Sequence, residues 1–155
     1  ANCGLSVISL RFSNIYGSTE DNPSKLIPIL IQSAIKNKRI CLQDPGLNIN
    51  LMFIDELVEG IRLAIKYMST KSASYFESID LCSANSISVG ELTETIISIT
   101  DSRSEVVYEK NYENRTNYNS SVLPDPSRAI ELLGYNAAID HNNQLVKTIK
   151  RYQNR

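Results

Sequence analysis

Apolar positions recur along the chain first at strand and then at helix spacing. Leu5, Val7, Leu10 and Phe12 form a β-type apolar run that predicts a buried strand. The run meets a polar Ser13-Asn14 pair, which places Asn14 just past the strand's carboxyl end, and Gly17 is free to take positive φ where the chain turns away. Residues 23–28 then lead into a helix that starts before Pro28, because proline lacks an amide proton and fits only in a first turn. Leu26, Leu30, Ile31, Ala34 and Ile35 are its expected buried stripe, and Asn37-Lys38 closes it. A short strand is expected at 40–42, a turn at Asp44-Pro45-Gly46, and a second short strand at 51–54. Asp55 is the expected cap of a helix whose inner face is Leu57, Val58, Ile61, Ala64 and Ile65, followed by a polar connector at 68–74.

The second half continues in the same manner. Residues 75–81 read as a strand, and Ser88-Val89-Gly90-Glu91 has the spacing of a capping box ahead of Leu92, Ile96 and Ile99. A strand at 105–108 gives way to residues 109–121, rich in Asn and Tyr and without apolar periodicity. Asp125-Pro126 starts a short helix through Ala129, Ile130, Leu132 and Leu133 that Gly134 ends, and a last helix carries Leu145, Val146, Ile149 and Tyr152. Strands alternating with helices make a mixed α/β fold, in which ligands bind beyond the carboxyl ends of the strands.

Composition narrows the partners. A chain of 155 residues with 42% hydrophobic content supports one compact core, so one domain or part of one is expected. The 16 basic and 17 acidic residues are spread along the chain, without the cationic stripe that nucleic acid or an anionic membrane requires. No apolar run reaches membrane-spanning length and no signal-type segment is visible, which reads as a soluble chain. Cys3, Cys41 and Cys82 are far apart and without metal-ligand spacing, so no disulfide framework and no zinc site is expected, and a reducing cytoplasm fits. Cys41 and Cys82 read as small buried hydrophobes, and His141 as an exposed residue of a polar turn.

Five blocks in order carry a resemblance. Leu10-Arg11-Phe12-Ser13-Asn14-Ile15-Tyr16-Gly17 is similar to L-R-x-x-N-x-Y-G, and Pro23-Ser24-Lys25-Leu26-Ile27-Pro28 to P-x-K-L-I-P. Met52-Phe53-Ile54-Asp55-Glu56-Leu57-Val58 is similar to V-Y-V-D-D-L-V, residues 79–92 to N-x-G-x(4)-S-V-x-E-L, and residues 125–135 to D-x-S-K-A-x-x-L-L-G-W, with Arg128 for the lysine. Together they resemble the C-terminal, substrate-binding half of an NAD-dependent epimerase or dehydratase of the extended short-chain dehydrogenase/reductase family, whose members act on nucleotide sugars. The fold implied is α/β: the late strands of a Rossmann-type sheet plus a small mixed α/β substrate-binding region, with the N-terminal NAD-binding half outside this chain.

The resemblance implies roles for individual residues. Asn14 would hydrogen-bond the substrate close to its diphosphate, Lys25 and Leu26 would touch nucleotide or phosphate at a helix start, and Ile40 and Leu42 would border the base. A helix start also suits an anion physically. Ser13 and Ile15 would lie against the nicotinamide, and Arg115, ten residues before Asp125, would clamp the diphosphate. Two positions depart from the pattern: Ile49-Asn50 stands where the family has Arg-Asp, and Asn117-Tyr118 where it has Gly-Asp. Diphosphate binding would then lean on Arg115 and Lys25, or the sugar nucleotide differs.

Catalysis in the family needs a glycine-rich loop for the cofactor pyrophosphate and a Tyr-x-x-x-Lys pair. Gly4, Gly17, Gly46, Gly60, Gly90 and Gly134 nowhere approach that loop's spacing. Tyr67-Met68-Ser69-Thr70-Lys71 has the pair's spacing but lies downstream of Asn14, whereas the family's pair lies upstream, so it reads as coincidence and no catalytic residue is assigned. The resemblance thus implies the substrate-side part of an enzyme similar to UDP-glucose 4-epimerase or dTDP-glucose 4,6-dehydratase, isomerase or lyase, of the kind that serves polysaccharide biosynthesis. Such an enzyme works through transient NAD-dependent oxidation of C4 in a nucleoside-diphosphate hexose, and its full-length form is expected to be a homodimer. The alternatives are a non-catalytic nucleotide-sugar-binding or scaffold homologue, and a reductase of the same superfamily.

Overall fold

The computed structural model describes residues 4–72, 74–108, 124–136 and 140–154. It is a mixed α/β structure whose residues group into two units, one formed by Ala1–Ile15, Asn50–Asn85 and Leu123–Ile139, the other by Tyr16–Ile49, Ser86–Val122 and Asp140–Arg155.

The first unit is organised around two parallel strands. β1 (Val7–Phe12) pairs with β6 (Phe76–Leu81) in a register that sets Val7 opposite Phe76 and Phe12 opposite Leu81. Ile79 and Leu81 are fully buried, whereas the run expected to make β1 a buried strand is buried only in part: Leu10 packs against the core as expected, joined by Ile8, but Leu5, Val7 and Phe12 are exposed. Two short elements flank this pair, β2 (Asn14–Tyr16) and its neighbour β5 (Leu51–Phe53).

Helix α2 (Ile54–Met68) follows β5 directly. Its N-cap is Phe53 rather than the expected Asp55, which sits inside the first turn, and the Glu56 carboxylate accepts the Phe53 amide proton at 3.2 Å. The buried face is Leu57, Gly60 and Ala64, while Val58 and Ile65 of the expected stripe point outward at 58% and 67% exposure. Gly60 explains the rotation: a Cβ there would come within 2.8 Å of Leu81 Cδ1, so the absence of a side chain lets the helix lie close to β6. α4 (Ser127–Leu133) packs on α2 and β6, begins behind Asp125, whose Oδ1 accepts the Ser127 amide proton at 2.9 Å, and ends at Gly134 with φ 64°.

The second unit contains α1 (Leu26–Ile35), β3 (Ile40–Leu42), β4 (Asn48–Ile49), β7 (Ile87–Ser88), α3 (Val89–Thr100), β8 (Val106–Tyr108) and α5 (His141–Gln153). α1, α3 and α5 pack pairwise around Leu30, Ile31, Leu92, Ile96, Leu145 and Ile149, each 1% exposed or less. Burying such aliphatic side chains contributes about 1.5–3 kcal/mol each. β3 and β8 are parallel, and the two-residue strands β4 and β7, unforeseen from the sequence, are antiparallel. Pro28 lies in the first turn of α1 as expected, and Ser88 and Glu91 form the expected capping box. Two expectations are corrected: Cys41 is exposed although Cys82 is buried, and His141 is not in an exposed turn but half-buried in the first turn of α5 behind the Asp140 cap.

α4 is held to β6 by an ion pair, Arg128 Nη2 to Glu77 Oε2 at 2.6 Å, with a second arm from Arg128 to Glu131 at 3.0 Å. The hydrogen bond from Arg128 holds the Glu77 carboxyl below its ordinary value of 4.5. A lowered folded value means that this stabilisation is complete above pH 4.5 and is lost as pH falls through the lowered value. Glu77→Gln is therefore expected to flatten the acid side of the stability profile below pH 4.5, read as urea midpoints along a pH series. An unchanged acid slope would show that the pair contributes nothing.

Candidate functional site

The chain leaves β1 at Phe12 and enters β2 at Asn14, so Asn14 is not a free turn residue but the first residue of a second short strand. Its amide nitrogen and its Nδ2 both donate to the carbonyl oxygen of Asn50, each at 3.2 Å. This orients the carboxamide and leaves Oδ1, on an exposed side chain, with no hydrogen-bond partner among the described residues. Ser13 donates its backbone amide to Leu81 at 3.4 Å, and its Oγ is covered from solvent without a partner. Ile15 packs against the core of the first unit.

Asn50 is 6% exposed, yet every polar group of its side chain is engaged. Nδ2 donates to the carbonyls of Ser83 at 2.8 Å and Asn85 at 3.2 Å, and Oδ1 accepts the Ser83 amide proton at 3.1 Å. The sequence marks this position only as a departure from Arg-Asp. A polar residue directly ahead of the apolar segment Leu51-Met52-Phe53 is the signal that could have singled it out.

In the second unit, Lys25 is the residue ahead of α1, with its amide bonded to the Asn22 carbonyl at 3.0 Å. Its ammonium is 2.8 Å from Asp21 Oδ1, and Leu26 beside it is half-buried. Ile40 and Leu42 are each 4% exposed and turned into the core, so the side chain that β3 presents outward is Cys41. Period-two alternation would have given that distinction. Ile49 sits in β4 opposite Ile87, half-buried in a packing role. Arg115, with the whole 109–121 segment, lies outside the described residues. Among the described residues no cluster of His, Cys, Asp or Glu could hold a metal ion, and no helix is long and apolar enough to cross a membrane.

The Tyr-x-x-x-Lys sequence has a local explanation. Lys71 Nζ lies 3.9 Å from the Tyr67 ring centroid and 5.3 Å from that of Tyr75, and the two rings meet edge to face at 6.0 Å. The Tyr67 and Tyr75 hydroxyls are 3.0 Å apart, and Tyr75 donates to Glu77 at 3.2 Å. The cluster staples the end of α2 to the start of β6. A hydrogen bond from Tyr75, then the Lys71 ammonium, hold the Tyr67 phenol below its ordinary value of 10.0, while Tyr67 and Glu77 push Tyr75 far above it. Ultraviolet titration at the tyrosinate band is expected to show one early phenol among the eight tyrosines, absent in Tyr67→Phe and shifted upward in Lys71→Met. An unchanged first step in Tyr67→Phe would remove this assignment.

Residues 1–75 match the model of the NAD dependent epimerase/dehydratase family. The fold is that of solved epimerases. UDP-glucose 4-epimerase from Thermotoga maritima, solved with UDP-glucose, has a TM-score of 0.78 at 19% identity over 95% of this chain and 46% of its own. UDP-glucuronic acid 4-epimerase from Bacillus cereus, solved with UDP-glucuronic acid and NAD, has 0.74 at 20% over 92% and 45%, and MoeE5, also solved with UDP-glucuronic acid and NAD, has 0.78 at 20% over 97% and 48%. The chain thus spans somewhat under half the length of these structures. No curated protein matches it. The similarity to the C-terminal half of NAD-dependent epimerases and dehydratases, first drawn from five sequence blocks, is borne out, and so is the α/β fold.

Proposed function

We propose that this chain is the substrate-side part of a nucleotide-sugar epimerase or 4,6-dehydratase that oxidises C4 of a nucleoside-diphosphate hexose transiently. The observation that carries the reading is Asn14, held by two hydrogen bonds at the carboxyl end of β1 with Oδ1 open. An acceptor fixed in this way suits a sugar hydroxyl. Lys25 and Arg115 supply the cations for the diphosphate, Leu26 and the 40–42 segment border the base, and Ser13 and Ile15 lie beside the nicotinamide. The covered and unpartnered Ser13 Oγ fits a position next to a cofactor. NAD, when bound, supplies the hydride acceptor. This chain's residues orient the hexose toward it.

The cofactor-binding half lies upstream in the full-length protein. Support comes from the open side of the first unit, where Phe12 and Phe76 are 49% and 70% exposed and β1 has no second neighbour among the described residues. Parallel strands in α/β proteins are ordinarily covered on both faces. Expressed alone, the 155-residue chain is expected to bind a hydrophobic dye such as anilinonaphthalene sulfonate, and co-expression with the upstream half should abolish that signal. Dye binding that persists in the complex would mean that another partner covers this face.

A non-catalytic nucleotide-sugar binder is the second reading, favoured by Ile49, which packs against Ile87 in β4 where the family has an arginine. Calorimetric titration of UDP- and dTDP-glucose into the full-length protein tests both. Arg115→Ala is expected to weaken binding by about 10- to 150-fold, the loss of a charge-assisted hydrogen bond of about 1.5–3 kcal/mol. Unchanged affinity would remove Arg115 from the site. Tight binding without any C4 inversion or water elimination in product assays would favour the second reading.

A further inference from the structure

We infer that Asn50 is the positioning residue of the site: it acts on ligand through Asn14 without touching ligand itself. The inference rests on the reading of Asn14 as a ligand contact. Its basis is a hydrogen-bond path contained within the first unit. The Asn50 carbonyl accepts both the amide and the Nδ2 protons of Asn14, which fixes the main chain at the start of β2 and the plane of the carboxamide together. The Asn50 side chain in turn grips the chain just beyond β6, through the Ser83 amide and carbonyl and the Asn85 carbonyl. Ser83 is 1% exposed and its Oγ accepts the Asn85 amide proton at 3.1 Å, so the gripped segment is itself anchored.

Although the family pattern has an acid here, in this chain an uncharged amide is what matches the partners. Two donors and one acceptor are matched to two carbonyls and one amide, of which both Ser83 groups are buried. A carboxylate would keep the acceptor but turn both donors into acceptors aimed at carbonyl oxygens. The Asn50 carbonyl would then shift, and with it the direction of Asn14 Oδ1.

The test is a double-mutant cycle on the full-length protein, with UDP-glucose as the titrant and thermal melts as the folding control. Asn14→Ala is expected to weaken binding about fivefold, the equivalent of one hydrogen bond, and Asn50→Asp by a similar factor. Asn50→Asp added to Asn14→Ala should cost nothing further, because a residue that works only through Asn14 has nothing left to position. A purely structural role would instead give multiplying losses in the double variant, which would overturn the inference. If Asn14→Ala weakens binding while Asn50→Asp binds like the wild type, the positioning role fails and the Asn14 contact stands. If Asn14→Ala has no effect, the reading of Asn14 fails first and the inference with it. Should Asn50→Asp not fold, Asn50→Ser, which keeps one donor and adds no charge, enters the cycle with the same expectations. Failure of both to fold would assign Asn50 to the fold rather than the site.

Discussion

A buried primary amide carries two donors and an acceptor that water cannot reach, and each one left unpaired costs about 1–3 kcal/mol. Asn50 meets this constraint with groups of the main chain alone: the Ser83 and Asn85 carbonyls and the Ser83 amide. Because its own carbonyl accepts from Asn14, one residue binds three chain segments that are distant in sequence, at the end of β1, the start of β5 and the end of β6. Apolar packing alone would allow these strand ends to slide by fractions of an ångström. Hydrogen bonds with fixed acceptor directions do not, which is why the side chain proposed to face ligand gains from lying on this network.

Beneath the network the first unit depends on close approach between α2 and β6. Along the helix face Leu57 is followed by two small residues, Gly60 and Ala64, and Leu81 occupies the space that Gly60 leaves. Periodicity of apolar residues could not show this, because glycine carries no hydrophobic signal. Of the expected stripe, Leu57, Ile61 and Ala64 face the core, while Val58 and Ile65 are exposed for that reason. A helix face is defined by what fits against its neighbour, and at close contact the fitting residue is the smallest one.

Local chemistry was far more legible than burial. Pro28, the Ser88 box, the Asp44-Pro45-Gly46 turn, Asp125 ahead of α4 and Gly134 behind it all act within a few residues of themselves, so the sequence contains both partners of each interaction. Leu5, Val7 and Phe12, by contrast, carry an apolar pattern that predicts burial, and their exposure is decided by tertiary packing that no local pattern encodes. The site divides in the same way. Asn14 could be read from its block, but Asn50 owes its importance to partners some 33 to 36 residues away along the chain, and appeared in the sequence only as a missing acid. The Tyr67–Lys71 spacing shows the converse: a familiar catalytic pattern arose here from a cation over two aromatic rings.

Lys25 shows how such a site can hold a cation ready without trapping it. Its ammonium is paired with Asp21 at 2.8 Å, yet the lysine side chain is 55% exposed. The Asp21 side chain is 17% exposed, but a pair open to water on the lysine side contributes on the order of 1 kcal/mol, so in the proposed site exchanging the carboxylate for a phosphate oxygen has little to overcome. The diphosphate of a nucleotide sugar as a whole also carries more charge than the carboxylate it would displace, and at a helix start it would gain the favourable end of the backbone dipoles. On the proposed reading, Asp21 is a placeholder that keeps the ammonium near the start of α1 until ligand displaces it. A buried pair in the same place would hold Lys25 more firmly and would resist the exchange on which diphosphate binding depends.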